Sequence, residues 1–73
     1  MSKNTVIWHK VEWDDDGWST DVQPKPGTVL VTTIWGDVSL DTIVDGKDGL
    51  YFDFYNEAVA AWAELPAPYK EEM

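Results

Sequence analysis

The residues best suited to metal chemistry lie in the segment EWDDDGWSTDVQPKPG (12–27), where three aspartates stand between two tryptophans. Carboxylates at alternating positions before a glycine are typical of the calcium loops of EF-hands. If Gly17 takes the place of the EF-hand glycine, the twelfth position falls on Gln23, where calcium requires a bidentate glutamate. The flanking sequence indicates strands and a proline-rich loop rather than two helices. We therefore expect residues 12–27 to form an exposed acidic loop that holds no metal.

Catalysis would need an activated nucleophile or a paired acid and base, and the sequence offers neither. His9 is the only histidine, the chain has no cysteine, and none of its serines lies in a nucleophile motif. Asp41 and Asp53 are predicted to face each other across two strands, but on an open sheet face rather than in a pocket. No phosphate-binding glycine loop is present. The sequence therefore predicts a protein that is not an enzyme, with no catalytic residue, cofactor or metal ligand.

The chain is strongly acidic: fourteen Asp and Glu face five Lys, which gives a net charge of −9. Such a charge repels nucleic acid and anionic membranes and argues against direct binding to either. It favours a basic protein partner, although acidic charge also serves simply to keep a small protein soluble. The candidate partner-binding residues are the aspartates of two acidic segments: Asp14, Asp15, Asp16, Asp21, Asp45 and Asp48.

Strand patterns dominate the elements that must position these aspartates. The 73 residues predict a single domain (1–73), and the absence of a long apolar run predicts no signal peptide or membrane span, and hence a cytoplasmic protein. Turn signals at Gly36-Asp37 and at DGKDG (45–49) join three of the strands into an antiparallel meander. β-branched and aromatic residues place the strands at 5–11, 28–35, 38–44 and 50–55.

The last part of the chain is open to two interpretations. The segment 56–65 has an N-cap candidate, Asn56, and several alanines, which favour a helix. Its residues 59–63 are equally compatible with a short strand. We predict a mainly β fold with an N-terminal strand beside the meander, either a C-terminal strand or, in a small α+β fold, a helix at 56–65, and a frayed tail at 69–73.

Side chains alternate along a strand, so the two turns determine which residues share a face. With Trp35 opposite Val38 and Val44 opposite Leu50, both turns place one apolar set on the same face, and Trp8 and Trp62 are predicted to join this core. The set is Val29, Val31, Trp35, Val38, Leu40, Val44, Leu50, Phe52 and Phe54. The opposite face is half apolar, and we expect an element or a partner to cover part of it. Its candidate contact residues are Leu30, Ile34, Ile43, Tyr51 and Tyr55.

The order of several short motifs resembles that of a small family of phage and prophage proteins of unknown function. The motifs are an opening Trp, a Gly before Val-Leu-Val, and a closing Trp-x-x-Leu-Pro-x-Pro, with Gln23-Pro24 where the family usually has Leu-Pro. Residues 12–22 look like an insertion relative to the usual spacing. The resemblance implies a small β domain of phage or prophage origin, with a strand in VAAWAEL (59–65), and it implies no activity. The matching residues are Trp8, Gly27, Val29, Leu30, Val31, Trp62, Leu65, Pro66 and Pro68.

The acidic surface and the family resemblance lead to one functional prediction. The protein is expected to bind another protein in the cytoplasm of an infected or lysogenic host cell. In the most concrete form it inhibits a basic host protein that binds nucleic acid, such as a defence nuclease, by presenting carboxylates where phosphates would lie. The alternative is a structural or accessory module that forms a homodimer through the half-apolar second face.

Overall fold

The fold is mainly β, as the sequence predicts, and the computed structural model describes residues 6–66. The helical element of this part of the chain is a 3₁₀ turn at Asn56–Ala58. The predicted frayed tail at 69–73 lies outside the described residues. No helix among residues 6–66 has the length and apolar character needed to cross a bilayer. The strands are β1 (His9–Lys10), β2 (Glu12–Asp14), β3 (Gly17–Ser19), β4 (Gly27–Thr33), β5 (Val38–Gly46), β6 (Gly49–Phe52) and β7 (Val59–Glu64).

Five of these strands form one antiparallel sheet in the order β1-β7-β4-β5-β6, while β2 and β3 form a separate hairpin. The predicted meander is the β4-β5-β6 half of the sheet. The other half joins distant parts of the chain, because His9 of β1 lies opposite Trp62 of β7. The hairpin packs on one side of the sheet, which we call the inner face and which carries the core residues Val31 and Phe52. The opposite side is the outer face.

The first hairpin turn is longer than predicted, and it shifts the register of β5 by three residues. Val38 lies opposite Thr32, where the sequence predicts Trp35. The hydroxyl oxygen of Thr33 holds this turn by accepting hydrogen bonds from the backbone N–H groups of Trp35 and Asp37, both at 3.3 Å. Trp35 therefore lies in an exposed turn, and its prediction as a core residue is wrong.

The second hairpin turn contains only residues 47–48, and it shifts the register by one residue. Ile43 consequently lies opposite Phe52, one position beyond the predicted partner. Glycine is required where β5 ends, because a Cβ on Gly46 would lie 2.7 Å from the ring of Tyr51. The close approach of this ring keeps the turn tight.

Both register shifts are odd numbers of residues. The side chains of β5 therefore lie on the faces opposite to those predicted, whereas those of β4 and β6 lie on the predicted faces. Val29, Val31 and Phe52 share the inner face and are buried. Within β5, Ile43 and Asp41 lie on that face, whereas Val38, Leu40 and Val44 lie on the outer one. The predicted core residues that are instead exposed are Trp8, Trp35, Val38, Leu40 and Phe54.

The segment 59–63 is a strand, in agreement with what the family resemblance implies. The helix propensity of its alanines is overridden because Val59, Trp62 and Ala63 are buried when this segment pairs with β4. The N-terminal strand is shorter than the predicted 5–11: within the described residues it comprises β1 alone before the chain enters the hairpin.

Candidate functional site

Residues 12–27, predicted as a loop, contain the β2–β3 hairpin, and the three aspartates form its tip. Asp15 and Asp16 make the two-residue turn, with Asp14 opposite Gly17. The Asp14 carboxylate accepts a hydrogen bond from the N–H of Asp16 at 2.9 Å, and Gly17 adopts a φ of 131° that disfavours any side chain. The aspartates therefore build the turn as well as charging it, and all three are exposed, as predicted.

The two tryptophans beside the aspartates hold the hairpin on the inner face. Trp13 lies opposite Trp18, with the ring centroids 6.1 Å apart. The indole N–H of Trp13 donates to the carbonyl of Val59, and that of Trp18 donates to the carbonyl of Leu50, each at 2.9 Å. Trp18 also packs on Phe52, with ring centroids 4.6 Å apart. Val59 and Leu50 belong to β7 and β6, on opposite sides of β4 and β5, so the hairpin spans the inner face and closes the core.

The hairpin tip and the β5–β6 turn meet at one groove of about 310 Å³. Asp16 lines it from the tip and Asp48 lines it from the turn, so two acidic segments that are distant in sequence border the same space. Leu50 and Trp18 supply apolar surface between them. The polar side of the groove is contributed by Ser19, Thr20 and Gln23.

Three further predicted aspartates flank this groove without lining it. Asp15 is the neighbour of Asp16 in the turn. Asp14 pairs with Gly17 and Asp45 pairs with Leu50, and both of these partners line the groove. Among these aspartates, only Asp48 has a lysine directly beside it in the sequence, Lys47. We call the five aspartates at this end of the molecule the acidic tip: Asp14, Asp15, Asp16, Asp45 and Asp48.

Asp21, the sixth predicted partner-binding residue, belongs to a different cluster. Its carboxylate lies 2.9 Å from Nδ1 of His9, whose ring packs on Trp62 with centroids 4.7 Å apart. The indole N–H of Trp62 donates to the hydroxyl of Thr20 at 3.2 Å. Desolvation raises the pKa of Asp21, but the hydrogen bond and electrostatic attraction of His9, with hydrogen bonds from its own backbone and Thr20, together hold the pKa below its usual value. Asp21 therefore anchors the segment after β3 to the sheet.

Asp41 is a buried structural carboxylate, 3 % exposed, rather than a member of an exposed carboxylate pair. It accepts hydrogen bonds from the N–H groups of Thr42 at 2.6 Å and of Phe54 and Tyr55 at 2.8 Å. A carboxylate can be buried when several donors replace its water. The predicted placement of Asp41 opposite Asp53 is wrong, because the N–H of Asp53 bonds to the Thr42 carbonyl and the Asp53 side chain is exposed.

Two of the five residues predicted for contacts through the second face, Leu30 and Tyr51, lie on the outer face. Ile43 is buried in the core because β5 is inverted, Ile34 lies in the exposed turn after β4, and Tyr55 is half-buried against the core. None of these three residues lies on the outer sheet face, where the sequence places them. The outer face owes its apolar character to other side chains, which include Val38, Leu40 and Val44.

The chemistry open to the acidic tip is that of exposed carboxylates on a rigid support. Such groups accept hydrogen bonds from ammonium and guanidinium groups and attract cationic surfaces over distance. Within residues 6–66, no group of three His, Cys, Asp or Glu side chains is placed to hold a metal ion.

Comparison with known proteins adds no relative to these observations: no family model, no curated protein and no solved structure matches the chain. The resemblance to phage proteins stays a prediction.

Proposed function

We propose that the protein binds a basic protein partner through the acidic tip, and that in its most concrete form it inhibits a host factor that binds nucleic acid, such as a defence nuclease. The observation that carries the proposal is the convergence of Asp16 and Asp48 on one groove from two separate hairpins. Carboxylates gathered at one end of a chain with a net charge of −9 would attract a cationic cleft and speed its association.

The support beneath the acidic tip favours binding, because the backbone that carries the hairpin aspartates is already held in place. Trp13 and Trp18 tie the hairpin to two different strands through their indole N–H groups. The Asp14 side chain fixes the turn itself. A partner would therefore meet a charge pattern whose backbone is already ordered, which lowers the entropic cost of association.

Phage or prophage origin, and action in the cytoplasm of an infected or lysogenic host cell, belong to this proposal and rest on the motif resemblance. A small acidic protein that occupies a phosphate-binding cleft would suit a phage that must survive a host nuclease. Asp21 takes a smaller part in the proposal, because its carboxylate is already engaged by His9.

The test compares two double variants that remove the same charge. Asp15→Asn with Asp16→Asn removes two of the five negative charges of the acidic tip while keeping Asp14 to hold the turn. Glu57→Gln with Glu64→Gln removes two exposed charges from other parts of the chain. A partner captured from host lysate at low salt is identified, purified and tested for association with each variant by surface-based kinetics.

The tip variant should associate with the captured partner roughly threefold more slowly or worse, with a flatter dependence on salt. The control variant should associate nearly as fast as the parent protein. Equal slowing in both variants would show that the net charge of the protein, and not the acidic tip, sets the association rate. Unchanged kinetics in the tip variant would overturn the proposal. Loss of nucleic-acid binding or cleavage by the partner would support the inhibitor form of it.

A structural module that pairs with itself through the outer face is the second candidate function. It is favoured by the exposure of Val38 and Leu40, apolar residues of the outer face. Against it stands the mutual repulsion of two chains that each carry −9. Sedimentation at several concentrations distinguishes the candidates, because a homodimer would dissociate on dilution.

A further inference from the structure

Strand β5 is longer than the strand beside it, and this leaves part of its edge open. β6 pairs with β5 only between Ile43 and Gly46. One more bond follows, from the N–H of Asp53 to the carbonyl of Thr42 at 2.8 Å. Within residues 6–66, no strand lies along residues 38–41 on the β6 side. About half of β5 is therefore an edge, although β5 is an interior strand over the rest of its length.

The buried carboxylate of Asp41 accounts for this opening. It accepts the N–H groups of Phe54 and Tyr55, so immediately after β6 these amides bond to a side chain of β5 and do not continue the ladder along its main chain. Residues two apart on a strand direct their N–H and C=O groups to the same side. Since the Thr42 carbonyl points toward β6, the main-chain groups of Leu40 and Val38 point toward the open side as well.

The side chains beside the open edge are apolar and accessible. Val38 and Leu40 are 61 % and 54 % exposed, and Phe54 is 74 % exposed. Leu40 and Phe54 line a shallow groove of about 300 Å³ together with Thr28 and Asp53. An extended chain placed along this edge would bond to the main chain while its side chains settle on Leu40 and Phe54.

Soluble proteins usually protect an edge of this kind with lysine, proline or a bulge. The residues 38–42 contain no lysine and no proline, and they pair with β4 without a bulge. The exposed charges that border the edge are Asp37 and Asp53, both negative. A second copy of this chain would bring the same carboxylates against them, whereas lysine or arginine would complement them.

We propose that the open edge of β5, residues 38–41, docks an extended segment of another protein that alternates apolar and basic residues. The segment adds one strand to the sheet, its apolar side chains pack on Leu40 and Phe54, and its cations lie near Asp37 and Asp53. This surface is separate from the acidic tip and does not depend on the function proposed for it.

The probe for this surface is a capped heptapeptide of alternating lysine and valine, with lysine at both ends. Added to the ¹⁵N-labelled protein, it should shift the amide signals of residues 38–42 and slow the hydrogen exchange of the Leu40 amide. The same peptide with N-methyl groups on two adjacent central residues keeps its charge and side chains but cannot form the ladder. It should bind roughly fivefold more weakly or worse, since the bonds to the main chain carry much of the affinity.

Two matched protein variants locate the site. Leu40→Lys puts a cation on the open edge, and Val22→Lys makes the same change at another exposed apolar residue. The Leu40 variant should lose roughly fivefold or more in affinity for the peptide, while the Val22 variant should bind like the parent protein. Because the N-methylated peptide leaves the protein unchanged, the proposal stays testable even if one variant folds poorly.

Several outcomes would overturn the proposal. Peptide-induced shifts confined to the acidic tip would show only general attraction to negative charge. Equal binding of the N-methylated peptide would exclude strand addition. Dimerisation of the free protein that Leu40→Lys abolishes would assign the edge to a second copy, and stronger peptide binding after deletion of residues 67–73 would assign it to the chain's own tail. None of these results would test the acidic tip, whose proposal rests on the Asp15 and Asp16 variants.

Discussion

The inner and outer faces of the sheet are built from the same strands, but one is buried and the other is largely exposed. The inner face is covered by the β2–β3 hairpin, and Val31 and Phe52 on it are fully buried. The outer face has no such cover among the described residues, and Leu40 on it is more than half exposed.

The comparison shows that hydrophobicity alone does not determine which face becomes the core. On β5 the apolar Leu40 lies outside and the charged Asp41 lies inside. Asp41 is tolerated there because three backbone N–H groups satisfy it, and those bonds position the segment that leads to β7. The outer face is free to contact other molecules because the inner face supplies the stability.

The largest expected effect tests the difference between the faces with two phenylalanines. Phe52→Ala removes a fully buried ring that packs on Trp18, and it should lower the free energy of unfolding by roughly 3–5 kcal/mol. Phe54→Ala, two residues away and largely exposed, is the matched control and should cost less than about 1 kcal/mol. Urea unfolding followed by circular dichroism measures both. Equal losses of unfolding free energy would mean that Phe54, in the groove beside Leu40, contributes to stability as much as the buried Phe52.

The next effect compares two aspartates, Asp41 in β5 and Asp53 directly after β6. Asp41→Asn replaces a charged acceptor of three N–H groups by an amide whose own N–H₂ faces donors, and it should cost about 2–4 kcal/mol. Asp53→Asn alters an exposed side chain and should change stability by less than about 0.5 kcal/mol. The same unfolding experiment decides the matter, and a neutral Asp41→Asn would contradict the structural role given to this carboxylate.

The smallest effect lies at the β1 edge, where His9 bonds Asp21. The pKa of Asp21 is lower in the folded protein, so the bond contributes stability above the unfolded-state pKa and loses it as the pH falls through the folded-state pKa. His9→Phe keeps a ring on Trp62 but removes the donor, and the pKa of Asp21 should rise. An NMR titration of the Asp21 carboxyl carbon measures the shift. Lys10→Gln, at a neighbouring cation, should leave it unchanged, and no rise in the His9 variant would contradict the assignment.

Strand positions could be predicted from the sequence because β-branched and aromatic residues cluster where strands form. The strands 27–33, 38–46, 49–52 and 59–64 all overlap predicted segments. Register could not be predicted, because it depends on a hydroxyl: Thr33 bonds two N–H groups and lengthens a turn that Gly36-Asp37 alone makes look short. Both faces of β5 carry apolar residues, Leu40 and Val44 on one and Ile43 on the other, so the hydrophobic pattern did not reveal the error in register.

The candidate site could be predicted in part. The exposure of the three aspartates follows from their composition, but the convergence of Asp16 with Asp48 depends on a hairpin docked across the sheet. A signal for that hairpin was present: Trp13 and Trp18 stand symmetrically about a turn ending in glycine, as cross-strand aromatic pairs do. Their indole hydrogen bonds to Val59 and Leu50 join residues too distant in sequence for any local pattern to reveal.

The pairing of β1 with β7 has a consequence for how the chain is made. During synthesis the β4-β5-β6 meander leaves the ribosome before Trp62, the partner of His9, exists outside it. The hairpin formed near the start must also wait for Val59 before Trp13 can dock. Contacts of such long sequence separation are slow to form, so folding is completed only after translation has passed β7. Until then the nascent chain exposes Val31 and Phe52, and chaperones or proteases have their best opportunity to act on it.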